Sequence, residues 1–327
     1  PRVVIKPRKA RPFFARHPWV FVTSIDRVEH DQKRPIEAGQ EVEVASAEGK
    51  FIGVGLINPQ SAIRVRMYRW DDGPLDESFW RARLESALRL RDHIPGLDAN
   101  LPGRAIRLIS SEADYLSGLI VDRYDRWLVA QFGSLALAQK RDMLGRLLRE
   151  LTGAEGVGAR VDRSTARQEG LNDHPIEPVL AGTMPDGPIE IVENDLRFVI
   201  DPQFGQKTGF YCDQRDNRRV AAAWARGRSV LDLYCYTGGF SLNAIKHGGA
   251  IECLGIDSSS TAIAFAEQNA LLNGIINAKF QEGDVFETLE ELREAQRRFG
   301  MIVCDPPKFA RSPQTLEDGL KGYLRLN

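Results

Sequence analysis

Cysteine is scarce in this chain, and its spacing excludes several kinds of site. Cys212, Cys235, Cys253 and Cys304 are the four cysteines among 327 residues, and no two of them form a Cys-x-x-Cys pair. A disulfide framework and a zinc site are therefore not expected, and we expect no other metal site. Few, scattered thiols fit a reducing cytoplasm.

Long apolar runs are also absent. No stretch of about 18 consecutive apolar residues occurs, so no membrane span is predicted. The N-terminal residues lack the long apolar core of a signal peptide. Low-complexity segments and internal repeats are missing as well, while the hydrophobic fraction of 43% and charged fraction of 27% are ordinary for globular protein.

The net charge of −1 does not indicate a nucleic-acid-binding protein, but the distribution of charge along the chain is more informative. The first acidic residue is Asp26, and aromatic rings are interleaved with the cations that precede it. Such a patch can neutralise phosphates and stack on bases, or it can be a solvated basic arm over core aromatics. The residues that we consider for RNA binding are Arg8, Lys9, Arg11, Arg16 and His17.

The pattern of apolar residues predicts three domains. Residues 1–71 have alternating segments typical of a small β domain; in one of them, residues 63–67, Arg64 and Arg66 are expected to face outward. Residues 72–188 predict a compact α+β domain with a helix from Ala136 to Leu151 and no evident chemistry. Residues 189–327 begin with a hairpin, and short apolar strands then alternate with helices. That alternation predicts an α/β domain with a parallel, doubly wound sheet whose ligand lies at the carboxyl ends of the strands.

The turn after the first of these parallel strands is rich in glycine. Gly238 and Gly239 allow the backbone to approach a ligand, and free N–H groups before a helix suit an anionic group such as a carboxylate. The turn is not Gly-x-Gly-x-x-Gly, which disfavours a dinucleotide-dependent dehydrogenase. A plain tight turn is the alternative.

Acidic residues follow the next three strands. Asp257 can accept hydrogen bonds from a ribose diol, or it can cap the following helix. Asp284 can reach an adenine amine, or it can stabilise its own turn. Asp305 precedes Pro-Pro, where the chain must leave the sheet, and its carboxyl can bond the Watson–Crick edge of an extruded base. Lys308 supplies a charge for a phosphate or a carbonyl.

These motifs, in this order, resemble the bacterial S-adenosylmethionine-dependent methyltransferases of large-subunit ribosomal RNA that carry a PUA domain and modify cytosine C5. The resemblance covers the whole chain. It rests on segments 16–21, 111–119 and 121–124, on Lys207-Thr-Gly-Phe-Tyr211, on Tyr236-Thr-Gly-Gly-Phe240 and on Asp305-Pro-Pro-Lys-Phe309. It implies a PUA-like RNA-binding domain over 1–71, a central α+β domain over 72–188, and a Rossmann-like class I methyltransferase domain over 189–327.

The resemblance also implies roles for individual residues. One group would close over S-adenosylmethionine, and a second would hold its methionine part. Asp257 would hold the ribose, Asp284 would lie on the adenine side, and Asp305, with Lys308 beside it, would contact the target cytosine. The closing group is Lys207, Tyr211, Asp213 and Arg215, and the methionine group is Asp232, Thr237, Gly238, Gly239 and Phe240.

The resemblance does not identify, among the residues of this chain, the nucleophile that this chemistry needs. In the family a thiolate adds to cytosine C6, which makes C5 able to attack the methyl group. The family's cysteine lies on a later strand, whereas the four cysteines here are expected to be buried or wrongly oriented. We therefore expect the nucleophilic cysteine beyond Asn327, in a sheet that continues past this point and is incomplete here.

Three functions remain open from the sequence. The first is C5 methylation of cytosine in ribosomal RNA. The second is methylation of a guanine or an exocyclic amine in RNA, which Lys308 directly after Pro-Pro mildly disfavours. The third is an RNA-binding protein with an inert methyltransferase domain. Whether the chain forms a homodimer is left open too.

Overall fold

The computed structural model describes residues 1–31, 34–94, 103–161, 163–173, 176–202, 209–310 and 315–327, in two compact units. The first unit comprises residues 1–189 and 201–212, and the second comprises residues 190–200 and 213–327. Lys207 lies outside the described residues.

The first unit begins with a six-stranded sheet. Its strands lie in the order β2-β6-β5-β4-β1-β3, and a short helix α1, Arg11–Phe14, follows β1. Alternation of apolar residues builds it: Val42 and Val44, on one face of β4, are both buried. The strands are β1 (Arg2–Ile5), β2 (Trp19–Phe21), β3 (Ile25–Glu29), β4 (Glu41–Ala45), β5 (Phe51–Ile57) and β6 (Ile63–Arg69).

A five-stranded sheet in the order β11-β10-β9-β8-β7 completes the first unit, with helices beside it. Asp76 begins α2 by accepting a hydrogen bond from the Phe79 amide. The single helix predicted from Ala136 to Leu151 is two helices, α3 and α4. The elements are α2 (Glu77–Asp92), β7 (Ala105–Ser110), β8 (Leu119–Tyr124), β9 (Trp127–Phe132), α3 (Leu135–Ala138), α4 (Arg141–Thr152), β10 (Gly156–Arg160), α5 (Arg163–Glu169) and β11 (Val179–Gly182).

The two sheets of the first unit share a core and a buried ionic network. Val54, Leu56 and Tyr68 of the first sheet belong to the same apolar cluster as the second. Arg66 was expected to face outward, and this prediction is wrong: it is 6% exposed. Its guanidinium lies 3.1 Å from Glu169 Oε1 and 3.1 Å from Ser117 Oγ. Alternation correctly places Arg66 on the polar face of β6, but that face packs against other parts of the protein and is not exposed to solvent.

The second unit consists of a two-stranded hairpin and a four-stranded parallel sheet flanked by helices. The sheet order is β16-β15-β14-β17, so β14 and β15 are central and β17 lies at an edge within the described residues. This is the α/β architecture predicted from the alternation of strands and helices. The elements are β12 (Ile189–Glu193), β13 (Leu196–Ile200), α6 (Arg215–Ala222), β14 (Ser229–Leu233), α7 (Gly239–Lys246), β15 (Glu252–Asp257), α8 (Ser260–Leu272), β16 (Ala278–Glu282), α9 (Val285–Glu294), β17 (Met301–Cys304) and α10 (Leu316–Leu326).

Candidate active site

Three strand ends meet at one edge of the parallel sheet. Leu233 at the end of β14 pairs with Ile256 of β15 on one side and with Cys304 of β17 on the other. The segments that follow these strands therefore lie side by side, since parallel strands end at a common edge. The sequence predicts a ligand site at this edge, and the structure brings its main motifs there.

The glycine turn, residues 234–239, has an unusual backbone. Tyr234, Tyr236 and Gly238 have φ values of 60°, 50° and 80°. A left-handed conformation is costly for aromatic residues, and such conformations are concentrated at functional sites. Hydrogen bonds from the Cys235 amide to Ile256 O and from the Tyr236 amide to Asp257 Oδ2, both 2.9 Å, hold the turn against β15.

The two glycines of this turn are required by packing inside the protein. A Cβ on Gly238 would lie 2.9 Å from the Phe280 ring, and one on Gly239 would lie 2.6 Å from Arg218 Nε. The sequence attributes these glycines to close approach of a ligand. The structure adds a different reason, because neighbouring side chains already fill the space that a Cβ would need.

Asp232 is buried under the glycine turn. It is 1% exposed, and its Oδ2 accepts hydrogen bonds from the Ser241 amide at 3.0 Å and from Ser241 Oγ at 2.6 Å. Burial raises the pKa of Asp232 to about 6, and the bonds from Ser241 and the charge of Arg218 oppose that rise. The carboxylate thus fixes the first turn of α7 from below.

Asp257 is half-buried and accepts two backbone bonds. Its Oδ2 receives the Tyr236 amide, and its Oδ1 receives the Ser259 amide at 2.9 Å. The cap of α8 is Ser259, whose hydroxyl accepts from the Ala262 amide. Asp257 is therefore not the helix cap considered as the alternative, and lone pairs remain on both oxygens for a diol.

Asp284 is the N-cap of α9. Its Oδ1 accepts hydrogen bonds from the Phe286 amide at 2.8 Å and the Glu287 amide at 3.2 Å. The side chain is exposed. Asp284 therefore caps a helix, where the sequence offered stabilisation of its own turn as the alternative, and the cap uses only Oδ1.

Asp305, Lys308 and Cys304 are all exposed at the tip of β17. Gln214 Nε2, just before α6, donates to Asp305 Oδ2 at 3.4 Å. The sequence predicts that Cys304 is wrongly oriented on a buried strand, whereas the structure shows this residue exposed. Desolvation and the neighbouring Asp305 charge raise the pKa of the Cys304 thiol, which disfavours its thiolate form.

The remaining cysteines are buried, as expected. Cys212, Cys235 and Cys253 are 8%, 6% and 3% exposed. Burial raises the pKa of the Cys235 and Cys253 thiols above the ordinary value. Thiols of this kind remain protonated at neutral pH and act as small apolar groups.

An aromatic cluster that the sequence does not predict lies beside these residues. The Phe309 ring is 6.4 Å from Tyr234, 5.9 Å from Phe286 and 4.7 Å from Tyr323, between centroids. Burial raises the pKa of Tyr234 to about 12, with Cys304 and Asp284 contributing. Phe309 directly follows Asp305-Pro-Pro-Lys, which is the one signal that the sequence offers for the cluster.

The segment expected to close over the donor is divided between the units. Tyr211 is half-buried and belongs to the first unit. Asp213 is exposed and Arg215 begins α6, both in the second unit, with Arg215 Nε donating to Asp216 Oδ1 at 3.0 Å.

The residues around the glycine turn fit S-adenosylmethionine. Thr237 is 2% exposed, and its Oγ1 is buried without a hydrogen-bond partner among the described residues. Such an atom is rare unless a ligand or water completes it. Asp257 and Asp284 retain free acceptor capacity at the ends of neighbouring strands, where a ribose and an adenine can bind.

The basic N-terminal patch lies in the first unit. The five residues that we consider for RNA binding are all exposed. Arg8 and Arg16 both have φ of 65°, and Lys9 Nζ donates to Thr23 O at 3.4 Å. The His17 ring lies edge-on to Trp19 at 6.2 Å, and Trp19 is edge-on to Phe21, which is 40% exposed.

Comparison with known families agrees with this architecture. Residues 3–70 match a PUA-like domain, and residues 112–326 match the S-adenosylmethionine-dependent methyltransferase family. The chain belongs to this methyltransferase family, and it is an enzyme that uses S-adenosylmethionine as its methyl donor.

Individual relatives extend the match over nearly the whole chain. Ribosomal RNA large subunit methyltransferase I of Aeromonas hydrophila is 39% identical over 98% of this chain and 79% of its own length. The protein of the same name from Photobacterium profundum is 38% identical over 95% of this chain and 77% of its own length. The expectation that the sheet continues beyond Asn327 stays a prediction.

Solved structures show the same fold. A Streptococcus mutans protein classed with the SAM-dependent methyltransferases superposes with a TM-score of 0.79 at 19% identity, over 98% of this chain and 82% of that one. A methyltransferase structure complexed with SAH gives 0.77 at 20% identity, over 96% and 78%.

No helix among the described residues is long and apolar enough to cross a membrane. The same part of the chain contains no group of three or more potential metal-binding side chains.

Proposed function

We propose that this chain methylates C5 of a cytosine in large-subunit ribosomal RNA, with S-adenosylmethionine as donor. One observation carries the proposal: Asp305, an exposed acid before Pro-Pro, lies at the same sheet edge as the glycine turn. Relatives of 36–39% identity are named as large-subunit ribosomal RNA methyltransferases, which supports RNA as the substrate.

The proposed donor site uses the residues around the glycine turn. The amides of Gly238 and Gly239 and the Thr237 hydroxyl would hold the methionine end, with Phe240 beside them and Asp232 supporting the turn from below. Asp257 would bind the ribose hydroxyls, and Asp284 would lie at the adenine.

The segment that precedes α6 is proposed to cover the bound donor. Lys207, Tyr211, Asp213 and Arg215 form this group, by resemblance to the family. S-adenosylmethionine supplies a methyl group on a positively charged sulfur.

The proposed base site lies at the tip of β17. The Asp305 carboxylate would accept a hydrogen bond from the Watson–Crick edge of an extruded cytosine, and Gln214 already positions one of its oxygens. Lys308 would pair with a phosphate or the base carbonyl. None of the four cysteines fits the thiolate role, because three are buried and the pKa of Cys304 is raised, so the C5 step depends on the cysteine that the family resemblance implies beyond Asn327.

The N-terminal patch is proposed to bind the same RNA. Arg8, Lys9, Arg11 and Arg16 would contact phosphates, and His17 would offer a ring for stacking. PUA-like domains are found in RNA-modifying enzymes of the family that the sequence resembles.

Nucleoside analysis tests the proposal. The protein is incubated with ribosomal RNA and methyl-labelled S-adenosylmethionine, and the digested RNA is analysed by mass spectrometry, with Asp305→Asn and Cys304→Ser run in parallel. With the full-length protein we expect labelled 5-methylcytidine, much less of it in Asp305→Asn, and an unchanged amount in Cys304→Ser.

Other outcomes separate the alternatives. Labelled methylguanosine or an N-methylated base would replace the C5 assignment with the second function. Donor binding with no labelled nucleoside would favour an RNA-binding protein with an inert domain. Loss of product in Cys304→Ser would show that our exclusion of that thiol is wrong.

A further inference from the structure

The hairpin β12–β13 lies next to the glycine turn, although the turn comes about forty residues later in the chain. Its two-residue loop, Asn194-Asp195, has φ values of 51° and 58°, the conformation of a tight hairpin that favours Asn and Asp. Strand β13 packs along α8. Three separate connections run from this hairpin to the glycine turn.

The first connection runs through Asn243 of α7. Asn194 Nδ2 donates to Asn243 Oδ1 at 3.2 Å, and Asn243 Nδ2 donates to Gly239 O at 2.8 Å. Asn194 Nδ2 also donates to Arg215 O at 3.1 Å, so the hairpin loop is tied to α6 as well. Asn243 is fully buried, and a polar amide in such a position is retained only when it is well bonded.

The second connection runs through Asn269 of α8. The Val199 amide in β13 donates to Asn269 Oδ1 at 2.7 Å, and Asn269 Nδ2 donates to Thr237 O at 3.1 Å. Asn269 is also fully buried. One carboxamide thus joins the hairpin strand to the carbonyl of the residue at the centre of the turn.

The third connection is an ion pair. Arg218 Nη1 lies 2.6 Å from Glu193 Oε1 at the end of β12, and the two residues are 4% and 1% exposed. The other side of Arg218 packs on Gly239, and its guanidinium carbon is 5.8 Å from the Phe240 ring centroid. The hairpin therefore supports the turn from three directions.

We propose that the hairpin of residues 189–200 is a positioning element for the methyl donor, acting through Asn243, Asn269 and Arg218 on the glycine turn. The left-handed tyrosines of the turn are costly conformations, and such strain persists only where surrounding contacts impose it. In this proposal these residues do not touch the donor themselves; they hold the backbone of the turn, whose amides at Gly238 and Gly239 would bind it. The inference rests on the proposed placement of the donor at this turn.

The test compares Asn269 of α8 with Asn273, the residue that caps the C-terminal end of the same helix. Asn269→Leu removes the bond to the turn and the bond to β13. Asn273→Leu is the matched control, because Asn273 also bonds β13, through the Arg197 amide and carbonyl, but not the turn. Kd for S-adenosylmethionine is measured by calorimetry and the melting temperature by scanning calorimetry.

We expect both variants to melt lower, and only Asn269→Leu to bind the donor more weakly, by about five- to tenfold for the removal of one hydrogen bond. Equal Kd values in the wild type and both variants would overturn the inference. Equal weakening in both variants would also overturn it, because the effect would then be general loosening of the hairpin.

A second pair of variants tests the same point with less risk of misfolding. Asn194→Gly keeps the positive φ and removes only the side-chain bonds, while Asp195→Gly is the control in the same loop, with an exposed side chain. The donor Kd should rise in the first and not in the second. Asp257→Ala separates failure of the proposed donor site from failure of the hairpin's role. If Asp257→Ala also leaves the Kd unchanged, the donor site itself is misplaced. If Asp257→Ala loses donor binding while Asn269→Leu binds normally, only the role of the hairpin is refuted.

Discussion

Asp232 gives the unfolding free energy of this protein a dependence on pH that can be worked out from the structure. Its pKa is raised from 3.8 to about 6 by burial. Between these values the folded protein binds the proton more tightly than the unfolded chain, so stability falls as pH rises through this window. A shift of about two pKa units corresponds to a destabilisation of about 3 kcal/mol, which is present in full above the folded pKa and absent below the unfolded pKa.

Asp232→Asn removes this dependence and keeps the hydrogen bonds. The amide oxygen can still accept both bonds from Ser241, but the side chain carries no charge. We expect the difference in unfolding free energy, variant minus wild type, to increase by about 3 kcal/mol from about pH 4 to about pH 7 and then to level off. Any constant offset from the new NH₂ group cancels in this comparison.

Urea unfolding of both proteins at several pH values, without donor, measures the difference. Ser241→Ala serves as a second variant: it removes a bond that lowers the pKa of Asp232, so its window should extend to higher pH. A difference between Asp232→Asn and wild type that stays constant, or that decreases as pH rises, would show that Asp232 is not the desolvated carboxylate that the structure describes.

Three further predictions concern other parts of the chain. Arg218→Met should destabilise the protein by about 3–5 kcal/mol in chemical unfolding, because Glu193 is left buried without its charge partner, and adding Glu193→Gln should recover part of the loss. Asp284→Ala should reduce stability by about 1 kcal/mol through loss of the α9 cap, whereas Asp284→Asn should not; equal losses would contradict the capping role. Lys9→Glu with Arg16→Glu should weaken RNA binding in filter assays and reduce the slope of its salt dependence by about 0.7 for each phosphate that is no longer neutralised, and an unchanged slope would exclude the patch from the RNA interface.

The sequence predicts the architecture of the second unit well because its signals are local. The hairpin that opens residues 189–327 and the alternating strands and helices after it are found as predicted, because apolar runs there end at turn residues. The helix predicted from Ala136 to Leu151 is divided because local periodicity does not show where a helix changes direction.

The site is predicted only in part, for a physical reason. The acids after each strand follow from topology, since parallel strands end at one edge. The hairpin partners of Asn243, Asn269 and Arg218 lie on segments distant in sequence. Nothing in the residues next to these three shows that they are buried side chains holding the glycine turn and not polar groups of the surface. Likewise, the alternation around Arg66 identifies its face but not what covers that face.

The Arg66 network bears on how this protein can be divided and recombined. A guanidinium from the first sheet neutralises Glu169 and satisfies Ser117, both beyond the residues that match a PUA-like domain. Moving that domain into another enzyme, or replacing it here with a homologous one, would leave the charge of Arg66 or Glu169 buried without its partner. This is avoided only if both positions change together. The first two sheets are thus expected to be inherited as one piece, and sequence changes at 66 and 169 to occur in pairs.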